Sequence, residues 1–327
     1  CEKPSSENIL LLFQNNSDQW AFHSKINIYQ NIPRKEAVFG LDFLIKDNNM
    51  YVTSHEAMYI YQEKDNLWQF ADKMAFQTQK QFSHIAVNKD WLALGFTDYS
   101  DYEKSQGEVR MYKKKGHQWQ YHSTLEPSIG HGSDYFGENF SLSNNYLAVS
   151  APDLKPEQPH QAKGGIHIFQ YALGRWHAKQ TIRMPNKPND NHERRYFKNF
   201  KFELSGNNLY VNDTGVRHKT QAFKDLPDVP EFNDGLGGIH HFKKKGRKWH
   251  FIKTIKPNHR FASINQHMAT HEGDLYFITT DSDIYNQPTQ RLHHYRSNGK
   301  TSSTVISATK LAATHGATEA VKEAAEY

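Results

Sequence analysis

Twenty histidines make histidine the residue type with which this chain could most readily do chemistry. The pairs His240-His241 and His293-His294 are candidates for a metal site, since imidazole is a common zinc ligand. Adjacent residues of a strand point to opposite faces, however, so such a pair is a poor chelate by itself. His167, His240 and His293 also fall at matching positions of a repeated strand. We therefore expect structural histidines, no metal site and no cofactor.

Signatures of the common catalytic chemistries are missing from the sequence. It contains no HExxH, GxSxG, Walker loop or CxxC, and Cys1 is its only thiol. Scattered loop carboxylates leave a hydrolase open as an alternative. Weak calcium binding is an alternative at two pairs of carboxylates, Asp98 with Asp101 and Asp281 with Asp283. We expect a protein that is not an enzyme and that does not bind calcium.

The composition favours a sheet protein whose core is largely aromatic. The chain has 17 Tyr, 20 Phe and 6 Trp, yet only 37% of its residues are hydrophobic and its mean hydropathy is -0.84. Aromatic residues suit strands with one buried and one polar face. A net charge of +5 is small for a nucleic-acid-binding protein, and we expect no nucleic-acid partner. The sequence has no apolar run long enough for a membrane-spanning helix.

Five segments share a strand that ends in an aromatic residue, followed seven positions later by tryptophan. The pairs are Phe13 and Trp20, Tyr61 and Trp68, Tyr112 and Trp119, Phe169 and Trp176, and Phe242 and Trp249. The residues between each pair are polar and turn-rich, which predicts two antiparallel strands joined by a hairpin. We expect the five tryptophans to occupy equivalent places in the fourth strands of successive units.

In the last four of these five segments, another hairpin lies immediately upstream of the one that contains the tryptophan. Its clearest copy is 135–152, in which Tyr135-Phe136-Gly137 opens one strand and Leu147-Ala148-Val149-Ser150-Ala151-Pro152 forms the next. Each unit therefore has four strands, and the tryptophans are 48, 51, 57 and 73 residues apart. Spacings of this size with four strands per unit predict an all-β fold, a β-propeller of four-stranded blades.

Phe-Gly, followed by the Leu-Ala-Val-Ser-Ala-Pro strand and then by Gly-Gly-Ile-His-Ile-Phe and Trp, resembles the FG-GAP repeat. The resemblance covers roughly 9–295 and is strongest in 107–176; Gly is lost after Phe82, Phe197 and Phe261. The family includes the propellers of integrin α subunits and many bacterial extracellular proteins. Integrin repeats often bind calcium in an acidic loop, but short turns such as Ser143-Asn144-Asn145 stand at that position here.

Six blades are expected and five are the alternative. The propeller is assigned to 9–307, between an N-terminal tether, 1–8, and a C-terminal segment, 308–327, that is either a strand or a helical tail. In the six-blade arrangement, 303–307 and 310–313 provide inner strands that pair with the N-terminal hairpin. In the five-blade arrangement the C-terminal segment is a helix, because 318–325 has high helix propensity.

Cys1 followed by a polar segment resembles the start of a mature bacterial lipoprotein, in which this cysteine carries the lipid. The resemblance implies lipid attachment at Cys1 and a place in the bacterial cell envelope. Glu2 permits transport to the outer membrane, by analogy with enterobacterial sorting. An arbitrary chain start is the other interpretation.

Basic residues concentrate in two of the predicted turns between third and fourth strands. They are Lys113, Lys114 and Lys115 in one unit, and Lys243, Lys244, Lys245, Arg247 and Lys248 in another. Either these turns are simply solvated, or they contact an anionic surface such as phospholipid headgroups or an acidic partner. We expect a non-enzymatic propeller scaffold for protein binding or assembly in the cell envelope. A carbohydrate-binding or adhesion module is the alternative.

Overall fold

The computed structural model describes residues 9–16, 19–27, 39–65, 67–78, 80–97, 107–127, 135–151, 164–183, 201–218, 225, 235–257, 262–281, 289–296 and 298–306. Within these ranges the regular secondary structure is entirely β, and no helix there could cross a membrane. The chain divides into two compact units, Cys1–Phe82 with Ile306–Tyr327 and Ser83–Val305.

The first unit contains a hairpin and one four-stranded blade. The hairpin consists of β1 (Ile9–Asn16) and β2 (Gln19–Asn27), which pair antiparallel. Blade 1 consists of β3 (Phe39–Lys46), β4 (Asn49–Ser54), β5 (Ala57–Lys64) and β6 (Leu67–Ala75). These four strands pair in chain order, each antiparallel to the next.

The second unit contains nearly all of four further blades with the same antiparallel order. Blade 2 is β7 (Gln81–Val87), β8 (Trp91–Thr97), β9 (Glu108–Lys115) and β10 (Gln118–Leu125). Blade 3 is β11 (Phe140–Ser143), β12 (Tyr146–Ala151), β13 (Gly165–Ala172) and β14 (Arg175–Arg183). Blade 4 is β15 (Phe202–Ser205), β16 (Asn208–His218), β17 (Gly235–Lys245) and β18 (Lys248–Ile255). Blade 5 is β19 (Ala262–His271), β20 (Asp274–Asp281), β21 (Thr289–Tyr295) and β22 (Thr301–Ile306).

The fold is a β-propeller of four-stranded antiparallel blades, which confirms the predicted fold class. The described residues form five complete blades, the number given as the alternative to six. The segment 303–306 belongs to β22, the fourth strand of blade 5, and is not an inner strand of a sixth blade. The segments 1–8 and 307–327 lie outside the described residues.

One register recurs in the third and fourth strands of the repeat. Each tryptophan pairs with the residue two positions after the aromatic of the third strand, as Trp176 pairs with Tyr171 and Trp249 with Lys244. The third residue after each tryptophan is an extra residue, which has no pairing partner on the neighbouring strand. These β-bulge residues are His23, Ala71, His122, Lys179 and Ile252. A bulge increases local twist, so the same bend recurs in the hairpin and in blades 1 to 4.

The core of the second unit lies between neighbouring blades. Between blades 2 and 3 it includes Trp91, Val109, Met111, Phe140, Leu147, Phe169 and Trp176. Between blades 3 and 4 the corresponding cluster includes Ala148, Ile166, Ile168, Phe202, Leu204, Leu209, Phe242 and Trp249. In blades 3 and 4 the aromatic and the tryptophan of the repeat therefore belong to the interface with the preceding blade, and their burial stabilises the stacking of these blades.

The Phe-Gly pair of blade 3 closes tightly against blade 2. Phe136 is fully buried and packs edge-on against Phe169, with ring centroids 6.0 Å apart. The carbonyl oxygen of Gly137 accepts a hydrogen bond from the Ser83 hydroxyl at 2.7 Å. A β-carbon on Gly107 would lie 1.7 Å from the Phe136 carbonyl oxygen, so that position requires glycine. Gly137 has a φ of 86°, which glycine adopts without strain, so glycine is also favoured at the second position of the Phe-Gly pair.

In the first unit, blade 1 leaves part of its innermost strand uncovered. Phe43 is 56% exposed, whereas Phe140 and Phe202, at the same register position in blades 3 and 4, are 3% and 5% exposed. In those two blades the inner strands of the preceding blade cover the position. The only other sheet in the described part of the first unit is the two-stranded β1–β2 hairpin.

Candidate functional site

The strand ends where blades 2 to 4 turn from the third to the fourth strand form the candidate functional site, here called the turn edge. Each of these turns has two residues, Gly116-His117, Leu173-Gly174 and Gly246-Arg247. The first residue of every turn has positive φ: 63° at Gly116, 52° at Leu173 and 60° at Gly246. Glycine adopts this conformation without strain, whereas a leucine there is rare and costs about 1 kcal/mol or more.

Several predicted basic residues lie on the turn edge with their ammonium groups over aromatic rings. The Lys113 ammonium lies 5.7 Å from the centroid of Trp91 and 5.3 Å from that of Tyr171. The Lys244 ammonium lies 5.0 Å from the centroid of Tyr146. In addition, Lys114 lies 5.5 Å from the ring of Trp119. Cation–π contacts of this kind fix where the charges lie without neutralising them.

The remaining predicted cations project more freely into solvent. Lys115, Lys245, Arg247 and Lys248 are all exposed, and Lys243 is half-buried. Few carboxylates counter this charge. In the described part of the second unit, those at or beside the short turns that join first to second or third to fourth strands are Asp90, Glu272 and Asp274. Asp274 accepts a hydrogen bond from His294 at 2.8 Å. The turn edge is therefore a positively charged surface that can attract an anionic partner.

The turns of neighbouring blades are joined by direct contacts. His122 on β10 lies with its Nε2 atom 3.2 Å from the carbonyl oxygen of Gly174 in blade 3. Trp91 packs against Trp176 and Tyr171 of blade 3, at centroid distances of 5.1 and 4.5 Å. These contacts hold the Leu173-Gly174 turn against blade 2, and the Lys244–Tyr146 contact links blade 4 to blade 3 at the same edge.

The five repeat tryptophans are placed at the second position of β2, β6, β10, β14 and β18. Trp176 and Trp249 are buried, while Trp68 and Trp119 are half-buried. Gln180 of blade 3 exchanges two hydrogen bonds with the backbone of Trp249, at 2.8 and 3.0 Å. In blades 3 and 4 these tryptophans therefore act in blade packing. Cys1 lies outside the described residues.

The histidines of the third strands lie inside the blades and bond to threonines. The Nδ1 atom of His167 lies 3.2 Å from the hydroxyl of Thr181, and that of His240 lies 2.9 Å from the hydroxyl of Thr254. The Nε2 atom of His240 also lies 3.2 Å from Asp213. Among the described residues no group of three or more His, Cys, Asp or Glu could hold a metal ion. Of the alternative calcium ligands, Asp98, Asp101 and Asp283 fall outside the described residues, and Asp281 is the last residue of β20.

Burial perturbs two histidines and one carboxyl. Desolvation lowers the pKa of His167 to about 4, with a smaller contribution from the charge of Arg183. The pKa of His241 is lowered to about 4, first by desolvation and then by Lys243 and Lys253. Burial raises the pKa of Glu203 on β15 to about 7. A carboxyl group that titrates near neutral pH can exchange protons with a substrate. Among the described residues, Glu203 is therefore the candidate acid or base for the alternative that the protein is an enzyme.

Sequence reasoning missed Leu173 as a member of the site. Its signal was present, because Ala-Leu-Gly-Arg stands where the neighbouring units have Lys-Gly-His-Gln and Lys-Gly-Arg-Lys. A leucine at the position where the other turns have glycine is unfavourable for the turn itself. Its presence is the feature of the turn edge that fold stability does not explain.

Fold and turn edge together define a class of protein, a β-propeller with a cationic edge in blades 2 to 4. Comparison with known protein families gives no match, and neither does comparison with curated proteins. The chain belongs to the propeller class on the basis of its blades, and no narrower family is shown.

Solved structures with a similar fold include proteins of unrelated functions. The N-terminal domain of Nup159 is 11% identical, with a TM-score of 0.35 over 81% of this chain and 60% of that one. A prolyl endopeptidase is 12% identical, with a TM-score of 0.45 over 92% of this chain and 42% of that one. The soluble aldose sugar dehydrogenase of Escherichia coli is 12% identical, with a TM-score of 0.32 over 73% and 92%. Resemblances this weak transfer no activity to the chain.

Proposed function

We propose that the protein is a non-enzymatic scaffold of FG-GAP type that resides in the bacterial cell envelope and captures a protein partner. In this proposal a lipid on Cys1 attaches the chain to the outer membrane. The propeller is the rigid frame, and the partner binds to connections that leave the end of the blades opposite the turn edge. We call that end the loop edge. The Phe136-Gly137 geometry supports the FG-GAP assignment of blade 3.

The observation that carries the proposal is the unequal length of the connections at the two edges. In blades 2 to 4 the first two strands and the last two strands are joined by turns of two or three residues. By contrast, the connections between second and third strands comprise 98–107, 152–164 and 219–234. Long segments concentrated on one edge of a rigid scaffold are typical of a recognition surface.

The frame beneath these connections supports a binding role because neighbouring blades are locked together. The Ser141 hydroxyl accepts a hydrogen bond from the backbone N–H of Leu204 at 2.9 Å. The Ser205 hydroxyl accepts one from the N–H of Gly273 at 3.1 Å. Such links, added to the interblade cores, hold the strand ends in fixed positions. A frame that does not rearrange lowers the entropic cost of binding.

Replacing 219–234 by Asn-Gly tests the proposal. His218 of β16 pairs directly with Gly235 of β17, so a two-residue hairpin turn can join them. A photo-crosslinking amino acid placed at Leu236 or Gly164 of the parent protein, expressed in its native envelope, should yield a discrete crosslinked protein. We expect that product to be lost in the shortened variant while the thermal transition stays near that of the parent.

A matched control replaces the Gly246-Arg247 turn by Asn-Gly, which alters the turn edge and leaves 219–234 intact. Its crosslinked product should persist. The proposal would be contradicted if the shortened variant gave the same product as the parent, or if the product appeared equally from a crosslinker at His117 on the turn edge.

A further inference from the structure

We propose that the turn edge is a membrane-contact surface on which Leu173 inserts into the headgroup region of an anionic phospholipid bilayer. The basic turns of blades 2 and 4 lie on either side and bind the lipid phosphates. This inference goes beyond the proposed function, because it assigns a second membrane contact that does not depend on a lipid at Cys1.

Leu173 has no role in the packing of the propeller. Its side chain is 97% exposed, the highest exposure among the large hydrophobic residues in the described part of the chain. Its backbone φ of 52° lies in the left-handed region, where the turns of blades 2 and 4 have Gly116 and Gly246. A leucine here therefore strains the backbone and gains no burial. Strain that the fold does not need is a pointer to function.

The neighbouring charges identify the chemistry of the partner. Lys115 on the blade 2 side and Lys245 and Lys248 on the blade 4 side are exposed. The turn between them is fixed against blade 2 by the contact of 3.2 Å between His122 and the Gly174 carbonyl oxygen. An apolar residue that projects between cations is the arrangement that binds the interface of an anionic bilayer, through apolar insertion plus attraction to phosphates.

A protein partner fits this surface less well than a bilayer does. Stable protein interfaces need a contiguous, complementary area with a buried core. The turn edge instead presents one protruding leucine among solvated cations, with the Lys113 ammonium over the rings of Tyr171 and Trp91. A fluid interface adapts its shape around a single inserted side chain and supplies many phosphates, so we commit to phospholipid.

Vesicle sedimentation with the full chain carrying Cys1→Ser tests the proposal without an acyl chain. The probe is vesicles of phosphatidylcholine with phosphatidylglycerol, compared with vesicles of phosphatidylcholine alone. We expect binding to the anionic vesicles only, with binding that weakens as salt is raised. Leu173→Asn should lower the partition coefficient about tenfold, because the apolar insertion is lost. Lys115→Gln, Lys245→Gln and Lys248→Gln together should lower it about a hundredfold.

Stability provides an independent readout that separates a membrane role from a structural one. Asparagine tolerates the left-handed conformation, so Leu173→Asn should leave the thermal transition unchanged or raise it while binding falls. Leu173→Met, which keeps an apolar side chain, should retain binding. As a matched control, Leu292→Asn changes another exposed leucine, on β21, and should leave binding unaltered. Equal binding to neutral vesicles, no binding to either kind, or an unchanged partition of Leu173→Asn would overturn the proposal.

Discussion

Mild acid should weaken the propeller through His167, and the effect can be isolated by one substitution. The imidazole is 1% exposed, and its Nε2 atom is buried without a hydrogen-bond partner. Its Nδ1 atom lies 3.2 Å from the Thr181 hydroxyl. Burial holds the pKa at about 4, against an ordinary value of 6.5. Protonation of this group in the folded state is therefore opposed by the blade interior.

The lowered pKa of His167 predicts a loss of stability on the acid side of neutrality. Above pH 6.5 the imidazole is neutral in both the folded and the unfolded chain, and its contribution to stability is fully present. As the pH falls toward the folded pKa, the unfolded chain binds a proton that the folded chain does not. The free energy of unfolding should drop by about 2 kcal/mol between pH 7.5 and pH 5 from His167 alone. His241, with a similarly lowered pKa of about 4, adds a comparable loss.

Urea titrations at both pH values, followed by tryptophan fluorescence, measure the difference. His167→Asn keeps a polar atom near Thr181 but cannot titrate, so it should remove about half of the acid-induced loss whatever its cost at pH 7.5. The comparison therefore concerns the change with pH and not the absolute stability. His250→Asn, at an exposed position on β18, controls for removal of an imidazole. If His167→Asn lost as much stability on acidification as the parent does, the assignment of a buried neutral imidazole would be wrong.

Two further predictions concern the blade interface and the lipid. Gly107→Ala should destabilise the second unit by about 3 kcal/mol, since its β-carbon would lie 1.7 Å from the Phe136 carbonyl oxygen. In contrast, Gly116→Asn, at an open turn position, should change the thermal transition little, and equal effects of the two changes would refute the close-packing explanation. Cys1→Ser in the full precursor should abolish lipidation and reduce the membrane-bound fraction without changing the circular dichroism spectrum; mass spectrometry of native protein showing an unmodified Cys1 would contradict it.

The blades could be predicted from the sequence because their packing repeats with the chain. The aromatic and the tryptophan of each unit belong to the same interblade contact in blades 3 and 4, so packing requires the same residue types at the same spacing. The bulge that follows each tryptophan could not be predicted. Ala71, His122, Lys179 and Ile252 occupy it, and they share no chemical property that would mark the position.

Strand ends were less predictable than strand centres. Local sequence preference favours one long connection over 212–236, yet β16 extends to His218 and β17 begins at Gly235. The residue types of Asp213, Gly215 and Gly237 are typical of turns. Local sequence preference therefore does not indicate that these residues lie in strands. Pairing across the ladder, as between Arg217 and Leu236, overrides that preference because each strand satisfies the other's backbone groups.

Only the charges of the candidate site were predictable. Runs of lysine are visible in any sequence, whereas the strain at Leu173 depends on a backbone angle that follows from the register of β13 and β14. Likewise, the lowered pKa of His167 depends on its burial, whereas alternation with the buried Ile166 and Ile168 would place its side chain on the other, polar face of the strand.

The two proposed surfaces are compatible because they lie at opposite ends of the same strands. The turn edge holds the ends of β9, β13 and β17, and the loop edge holds their beginnings, Glu108, Gly165 and Gly235. If the turn edge contacts a bilayer, the loop edge of the same unit points away from it and stays open to a partner. Partner capture should therefore be insensitive to Leu173→Asn, and vesicle binding insensitive to the shortening of 219–234. Loss of both activities in either variant would show that they share one surface, and the division of the blades into two functional edges would be wrong.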